Sequence, residues 1–337
     1  MKVSMWYNNK DIRTEEIPKP NPGPGEMLVK VMSCGICGSD IVEWYRLPRA
    51  PLVLGHEIGG KVVEIGEAVN KFKSGDRVFL APKVPCMTCH YCRNNHFPVC
   101  PNVKERLPGG FSEYVLVPKA IAENGAYLLP DTISYDQSTF IEPLACVIRA
   151  QKLADVTKNQ TLLIIGCGIS GMLQIKLAKT KNCKIIAVDI NNKRLEFAER
   201  IGADITIKAV DNIVKRMIAE NGKKADTIML CTSAMSAIEQ AWECVDKGGN
   251  IVFFAVPGPE KDVVIPINDF WTNEIKVLTS YFCGPPDIVE AINLLETGTI
   301  KIDDMITHRL PLNDIITGFQ LVSGDNESIK VIIKPNG

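Results

Sequence analysis

Along the first third of the chain, apolar residues come in short runs that glycine and proline interrupt every few positions. Residues 20–40, "PNPGPGEMLVKVMSCGICGSD", pass from a turn-rich lead into an apolar strand. Residues 54–69, "LGHEIGGKVVEIGEAV", and 73–82, "KSGDRVFLAP", predict hairpin-rich β structure with glycine at turns and bulges. From about Ile133 the texture changes to longer helical patterns. From Thr161 strand and helix signals alternate. "TLLIIG", "KIIAVD", "ADTIMLC" and "GNIVFFAV" are apolar runs of buried-strand length, and "SGMLQIKLAKT" and "NKRLEFAERIGA" between them carry helical periodicity. Strands alternating with helices imply a parallel sheet, so the expected class is α/β, with a β-rich domain followed by a doubly wound one. The tail carries "DIVEAINLLETGTI" and then "THRLPLNDIITGFQLV", a candidate for return to the first domain.

Length fits two domains, because 337 residues is about twice a typical domain. The balance of 46% apolar to 23% charged residues supplies two cores. A net charge of -1 with the two signs interspersed offers no phosphate-backbone footprint, which argues against nucleic acid as a partner. The opening residues lack the apolar run of a secretory signal, and no stretch approaches the ~20 apolar residues that cross a bilayer. Twelve cysteines without an export signal point to reduced thiols and metal ligation in a cytoplasmic setting.

Gly166, Gly168 and Gly171 form a G-x-G-x-x-G pattern that follows an apolar strand and opens a helix. That context lets a pyrophosphate sit on the helix N-terminus. The next strand ends in Asp189, 23 residues after Gly166. A carboxylate there accepts from ribose hydroxyls and repels a 2′-phosphate, which favours NAD over NADP.

Two cysteine-bearing segments carry candidate metal chemistry. Cys86, Cys89, Cys92 and Cys100 follow C-x2-C-x2-C-x7-C spacing, so four thiolates can converge on one ion. That set suits a closed structural zinc site, with an iron–sulfur cluster as the competing metal reading. His90 and His96 in the same loop read as solvated side chains. Upstream, "CGICGSD" holds Cys34, Cys37, Ser39 and Asp40; a dithiol pair there would need a βαβ context that this region lacks. With His56 and Glu57 of "LGHEIGG" and Glu142 of "FIEPLACV", a thiolate, an imidazole and one or two carboxylates compose a mixed-ligand zinc site with an exchangeable position.

Taken in order, "CGICGSD", "GHEIGGKVVEIGEAVNKFKSGDRV", the four-cysteine loop, "GGFSEY", "IEPLACVIRA", "GCGISG" and "THRLPL" resemble the zinc-containing medium-chain dehydrogenase/reductases, in their polyol (sorbitol-type) dehydrogenase branch. The resemblance implies a GroES-like catalytic domain over residues 1–148, to which 286–337 return, and a Rossmann NAD-binding domain over 149–285. It implies catalytic zinc on Cys37, His56 and Glu57, with Glu142 a ligand or bridged through water, and leaves Cys34 a buried small hydrophobe. Two zinc ions per chain and NAD are the implied cofactors. Ser170, Asp189 and Arg194 would meet the adenosine and pyrophosphate, and the strand ends near Val256 and Ser280 the nicotinamide. Zinc would lower the pKa of a substrate hydroxyl, Ser39 would pass the proton by way of the cofactor ribose, Glu57 or Glu142 would exchange with water on zinc, and hydride would leave for NAD. The family also implies a homotetramer or homodimer, and "IKVLTSYF" offers an edge for pairing.

The sequence departs from that pattern in three places. Val42 stands where many relatives carry a relay histidine, and the segments "IVEWYRLPRAPLVLG" and "PNVKERL" are shorter than usual. Shorter pocket segments imply a more open pocket, with Trp44, Tyr45 and Arg46 available to a sugar-like ligand and Arg46, Arg49 or Arg106 to an anionic group; each also reads as an ordinary surface or core residue. The leading expectation is NAD-dependent oxidation of a secondary alcohol in a polyol, sugar or cyclitol, or the reverse reduction. The alternatives are a threonine 3-dehydrogenase-like oxidation and a non-catalytic relative.

Overall fold

The short apolar runs of the first third pair as antiparallel strands, and the later runs as parallel ones. The structure, a computed structural model, describes residues 1–103, 105–324 and 328–336. Lys104, within the segment 101–107 that the resemblance leads one to expect shortened, therefore lies outside the described residues. By internal contacts the chain divides into one unit of Met1–Ala145 with Cys283–Gly337, and a second of Cys146–Phe282.

The first unit holds strands β1 (Lys2–Asn8), β2 (Asp11–Glu16), β3 (Met27–Gly35), β4 (Leu52–Val53), β5 (Glu57–Ile65), β6 (Arg77–Leu80), β7 (Tyr114–Val117) and β8 (Ala126–Leu128). The second holds β9 (Thr161–Ile165), β10 (Lys184–Asp189), β11 (Ile205–Lys208), β12 (Ala225–Leu230), β13 (Val245–Phe253) and β14 (Lys276–Thr279). Strands β15 (Ile306–Pro311) and β16 (Lys330–Lys334) belong to the first unit again.

In the first unit the order β15-β16-β3-β5-β6-β8, with β7 also on β3, makes a seven-stranded sheet. Strand β3 is its axis. Met27, Val29, Val31 and Cys34 are fully buried and pack with Ile58, Val62, Val78, Leu80, Val331 and Ile333 into one core. Register along β3 decides what meets what. Gly35 stands opposite Glu57 of β5 and opposite Ile332 of β16, so β5 and β16 flank the same point. The glycine is required there, because a Cβ would collide with the Glu57 carboxylate and the Lys330 ammonium. A second tie joins the two chain ends. Asp136 accepts from Ser33 (2.6 Å), Lys334 (2.6 Å) and Arg309 (2.7 Å). Those charged donors hold its carboxyl below the usual range although burial works the other way.

In the second unit the order β11-β10-β9-β12-β13-β14 is parallel throughout. Its runs are apolar because both faces are covered: Leu162, Leu163, Ile164 and Ile165 of β9 are buried, as are Ile185, Ile186, Ala187 and Val188 of β10. The order reverses between β9 and β12, so a crevice opens beyond the carboxyl ends of these strands, the usual place for a ligand in such a sheet. The α/β class expected from the pattern is the class observed.

Candidate active site

Cys37 is fixed by the turn that follows it. It caps a single 3-10 turn, Gly38–Ile41, and its thiol sulfur accepts from the Ser39 amide and the Ser39 hydroxyl, each at 3.4 Å. Asp40 closes the reciprocal cap, its Oδ2 accepting from the Cys37 amide at 3.1 Å. The fully buried Asp40 turns its other oxygen to His56, whose Nδ1 lies 3.2 Å from Oδ1. That contact leaves Nε2 as the nitrogen free to ligate, the arrangement in which a carboxylate sets tautomer and ring angle of a metal-bound histidine. His56 immediately precedes β5, and Glu57 is the first residue of that strand. The ligand atoms of Cys37, His56 and Glu57 come within 4.8 Å of one another. A sulfur, a nitrogen and an oxygen at that spacing suit zinc with a position left open.

The electrostatics around Cys37 and His56 follow from the same contacts. Burial disfavours the imidazolium of His56, but the Asp40 charge and the Cys37 sulfur outweigh it and hold the pKa well above the usual value. Burial likewise works against ionised Asp40, and His56 and Arg46 nevertheless keep its carboxyl below the usual range. Cys34 is different. Burial, with Asp40 and Glu57 nearby, pushes its thiol far up, and it packs in the core beside Phe111. Among the described residues Glu142 stands outside the Cys37–His56–Glu57 group, in the first turn of the helix Ile141–Leu153, with its carboxylate within 4.8 Å of the Cys283 sulfur.

One charged residue at this site, Lys330, escaped the sequence reading, and a second, Arg46, faces differently from the expectation. Lys330 of β16, fully buried, is paired with Glu57, 273 positions away, and sits 5.1 Å from the Phe140 ring centroid. Its only signal was a lysine leading an apolar run. Arg46, offered above to a sugar or an anion, is engaged inward instead. Its Nε donates to the Ser39 carbonyl (3.0 Å), and its Nη2 to Ser39 Oγ (2.8 Å) and Asp40 Oδ1 (3.1 Å). Tyr45 lies between two cations, with Arg46 4.9 Å and Arg49 5.4 Å from its ring centroid.

The four cysteines of the loop converge as well. The sulfurs of Cys86, Cys89, Cys92 and Cys100 lie within 4.8 Å of one another, with Cys89 3.5 Å from Cys92 and 3.8 Å from Cys100. Four thiolates around zinc at its usual bond length stand ~3.8 Å apart, so the lobe has the span of a closed tetrahedral cage. Without metal its thiols differ. The Thr88 amide and hydroxyl and the Cys89 amide bring Cys86 down to about 5, whereas burial and the sulfurs of Cys89 and Cys100 push Cys92 up to about 12.

In the second unit, Gly166 turns the chain at the end of β9 with φ 95°, and Gly168 caps the helix Ile169–Thr180. A Cβ on Gly171 would overlap the Gly166 carbonyl, while Gly168 has open space in front of it. A ligand can therefore approach the backbone at Gly168, beside Ser170 in the first helical turn. Asp189 ends β10, its oxygens accepting from the Cys167 amide (2.7 Å) and the Asn191 amide (2.8 Å). The cap Asn191 Oδ1 accepts from Lys193 and Arg194 at the start of the next helix. Val256, half-exposed, follows β13, and Ser280 follows β14 with its hydroxyl buried.

Comparison with known proteins agrees with both halves. Residues 23–127 match the alcohol dehydrogenase GroES-like domain, and residues 170–297 match the zinc-binding dehydrogenase domain. The chain is 31% identical to (R,R)-butanediol dehydrogenase of Bacillus subtilis, with 100% of each chain covered. It is also 31% identical to the erythritol/L-threitol dehydrogenase of Mycolicibacterium smegmatis, over 99% of this chain and 98% of the other. A Sinorhizobium meliloti protein described as a zinc-binding dehydrogenase, solved with NADP bound, superposes with a TM-score of 0.88 at 29% identity, covering 99% of each chain. The chain belongs to the zinc-binding alcohol dehydrogenases of the medium-chain superfamily, in the branch that includes the polyol dehydrogenases.

Proposed function

We propose that the protein oxidises a secondary alcohol of a small polyol or vicinal diol with NAD, or runs the reverse reduction. The observation that carries this reading is the mixed ligand set of Cys37, His56 and Glu57 with Asp40 behind the imidazole. A closed cage binds metal for structure; a sulfur–nitrogen–oxygen set leaves room for a substrate oxygen. A zinc ion held by Cys37, His56 and Glu57 would supply the Lewis acidity that lowers the pKa of an alcohol, and NAD would supply the hydride acceptor. In this reading Asp40 holds His56 with Nε2 forward, and the Ser39 hydroxyl, beside Cys37, accepts the substrate proton as it gives up its own toward the cofactor ribose. The lobe of Cys86, Cys89, Cys92 and Cys100 holds a second zinc that orders its loop. Asp189, with Gly166, Gly168, Ser170, Gly171 and Arg194, binds the adenosine half of NAD. Glu142 acts from outside the ligand set, across a water.

Self-association fits the second unit: β14 is the end strand of its sheet, and Val264 (82%), Ile267 (66%) and Trp271 (79%) are strongly exposed. Sedimentation velocity distinguishes a monomer from a dimer or tetramer. Twelve free cysteines support a reducing, cytoplasmic setting, and among the described residues no helix is long and apolar enough to cross a membrane.

The experiment is NADH formation across vicinal diols, tetritols, hexitols, cyclitols, sugar phosphates and L-threonine, with zinc counted on the same sample. Activity concentrated on one diol or polyol class, with about two zinc ions per chain, is the expected result. Preference for L-threonine, or a fully zinc-loaded protein inert to every alcohol, overturns the reading.

A further inference from the structure

Arg46 is a buried cation whose hydrogen bonds are spent on two neighbours of the metal ligands. Its side chain is 11% exposed. One nitrogen, Nη2, donates both to Ser39 Oγ at 2.8 Å and to Asp40 Oδ1 at 3.1 Å, and Nε donates to the Ser39 carbonyl at 3.0 Å. The same Asp40 oxygen meets His56 Nδ1, and the same Ser39 hydroxyl donates to Cys37 Sγ. Two ligands are thus backed by groups that a single guanidinium holds.

The hydroxyl of Ser39 has one proton and two lone pairs. Arg46 occupies one lone pair, which leaves a single lone pair to receive a hydrogen bond from a substrate hydroxyl; as that proton arrives, the hydroxyl proton now directed at Cys37 would turn away and pass to the cofactor ribose. Without Arg46, Ser39 Oγ is free to rotate among its staggered wells, and two of the three turn it from its present direction. Asp40 would retain its bond from the Cys37 amide but lose its strongest fixed cation. The five-donor fork supplies this geometry, and a lysine ammonium reproduces its charge without the fork.

We propose that Arg46 is the positioning residue for proton transfer: its guanidinium fixes the Ser39 hydroxyl and, through Asp40, the His56 ring. The inference rests on the function proposed above. It assigns to Arg46, on the segment that begins after Asp40, the ordering of a relay in a chain that has valine at position 42. Arg46 exchanges no proton itself, since its guanidinium stays charged.

The test compares Arg46→Met, Arg46→Lys, Ser39→Ala and the Ser39→Ala/Arg46→Met double variant on the best alcohol of the panel. Misplacing a reacting group by about 1 Å costs up to ~100-fold. Arg46→Met is expected to lower kcat by roughly 10- to 100-fold with KM changed by less than about threefold, and Arg46→Lys to recover part of the loss. In the Ser39→Ala background, Arg46→Met is expected to cost little further, because the two act as one unit. Unchanged kcat in Arg46→Met, or an equal loss with and without Ser39, overturns the proposal. A second readout needs no turnover. In cobalt-substituted protein, the thiolate-to-cobalt absorption of Cys37 is expected to shift in the difference spectrum between wild type and Arg46→Met, where the four-cysteine lobe cancels. An unshifted band overturns the proposal. A shifted band with wild type inert on the whole panel upholds Arg46 as the positioning residue of this metal centre and overturns the proposed function alone.

Discussion

Replacing Lys330 by methionine isolates one buried charge pair. The Lys330 side chain is fully buried and its partner Glu57 is 1% exposed, so neither charge has water to fall back on. Methionine keeps most of the stem in the space beside Phe140 and removes only the ammonium. What remains is a carboxylate in the core with no cation facing it from β16. Removing one partner of a buried pair costs about 3–5 kcal/mol, because the survivor keeps its desolvation penalty without its compensation. Lys330 also faces an aromatic ring, which adds to the loss at the level of ~1 kcal/mol. The first unit comprises about 200 residues, for which 3–5 kcal/mol corresponds to a fall in Tm of roughly 7–12 °C.

Metal content sets the sign of a second comparison. With zinc bound, Glu57 has another cation close by, so the cost of Lys330→Met should shrink; with chelator present it should be complete. Urea unfolding followed by circular dichroism, with and without chelator, reads both numbers. Adding Glu57→Gln to Lys330→Met should restore most of the loss, since the stranded charge disappears with it. A chelated Lys330→Met protein destabilised by less than about 1 kcal/mol would refute this reasoning, as would a double variant no more stable than the single one.

Three further outcomes follow from the same geometry. Cys92→Ala should lose one zinc and lower Tm before it touches turnover. In the intact lobe, zinc binding must displace the proton of Cys92, whose thiol stands at about 12, so affinity measured by chelator competition should fall about tenfold or more per unit drop in pH. Asp136→Asn should cost roughly 1–2 kcal/mol at neutral pH, a modest figure because Arg309 is half-exposed. The folded carboxyl of Asp136 is lowered, so its stabilisation is complete above the ordinary aspartate pKa of ~3.9 and is lost as pH falls through the folded value. The gap between wild type and variant should therefore begin to narrow below about pH 4 and keep shrinking as pH falls further, and a gap that does not narrow at all in acid contradicts the network. Asp189→Ala should raise KM for NAD and relax the preference over NADP; an unchanged ratio of kcat/KM for the two cofactors would remove Asp189 from the ribose site.

What the sequence made legible was whatever its chemistry keeps local. Gly166, Gly168, Gly171 and Asp189 are read along the chain because strand, turn and helix are consecutive, and the structure gives each glycine a distinct physical reason. The four cysteines are legible for the same reason, since fifteen residues cannot spread four thiols far. Cys37, His56 and Glu57 sit at an intermediate level. Their types and flanking residues marked them as a group, but their meeting depends on the register of β3 against β5, which periodicity does not report.

Lys330 and Arg46 lie beyond that horizon for different reasons. Lys330 reaches Glu57 only because β16 returns to β3 opposite Gly35, and nothing near position 330 encodes that pairing. Its lysine looks like an ordinary polar lead into an apolar strand until the sheet is closed around it. Arg46 is close to its partners in sequence, yet an arginine beside tyrosine and tryptophan reads equally well as a surface residue or a ligand contact. Only the hydrogen bonds to Ser39 and Asp40 separate those readings. Both residues stand behind the proposed ligands, Lys330 paired with Glu57 and Arg46 bonded to Ser39 and Asp40. A metal centre built this way would draw its ligands from two short motifs that neighbouring strands bring together, whereas its supporting charges can come from wherever the fold brings a cation to the right place. That asymmetry makes the ligands readable and their supports specific to this chain. It also means that exchanging the segment carrying Arg46 for a relative's should preserve zinc binding, counted by elemental analysis, while altering how Ser39 is held.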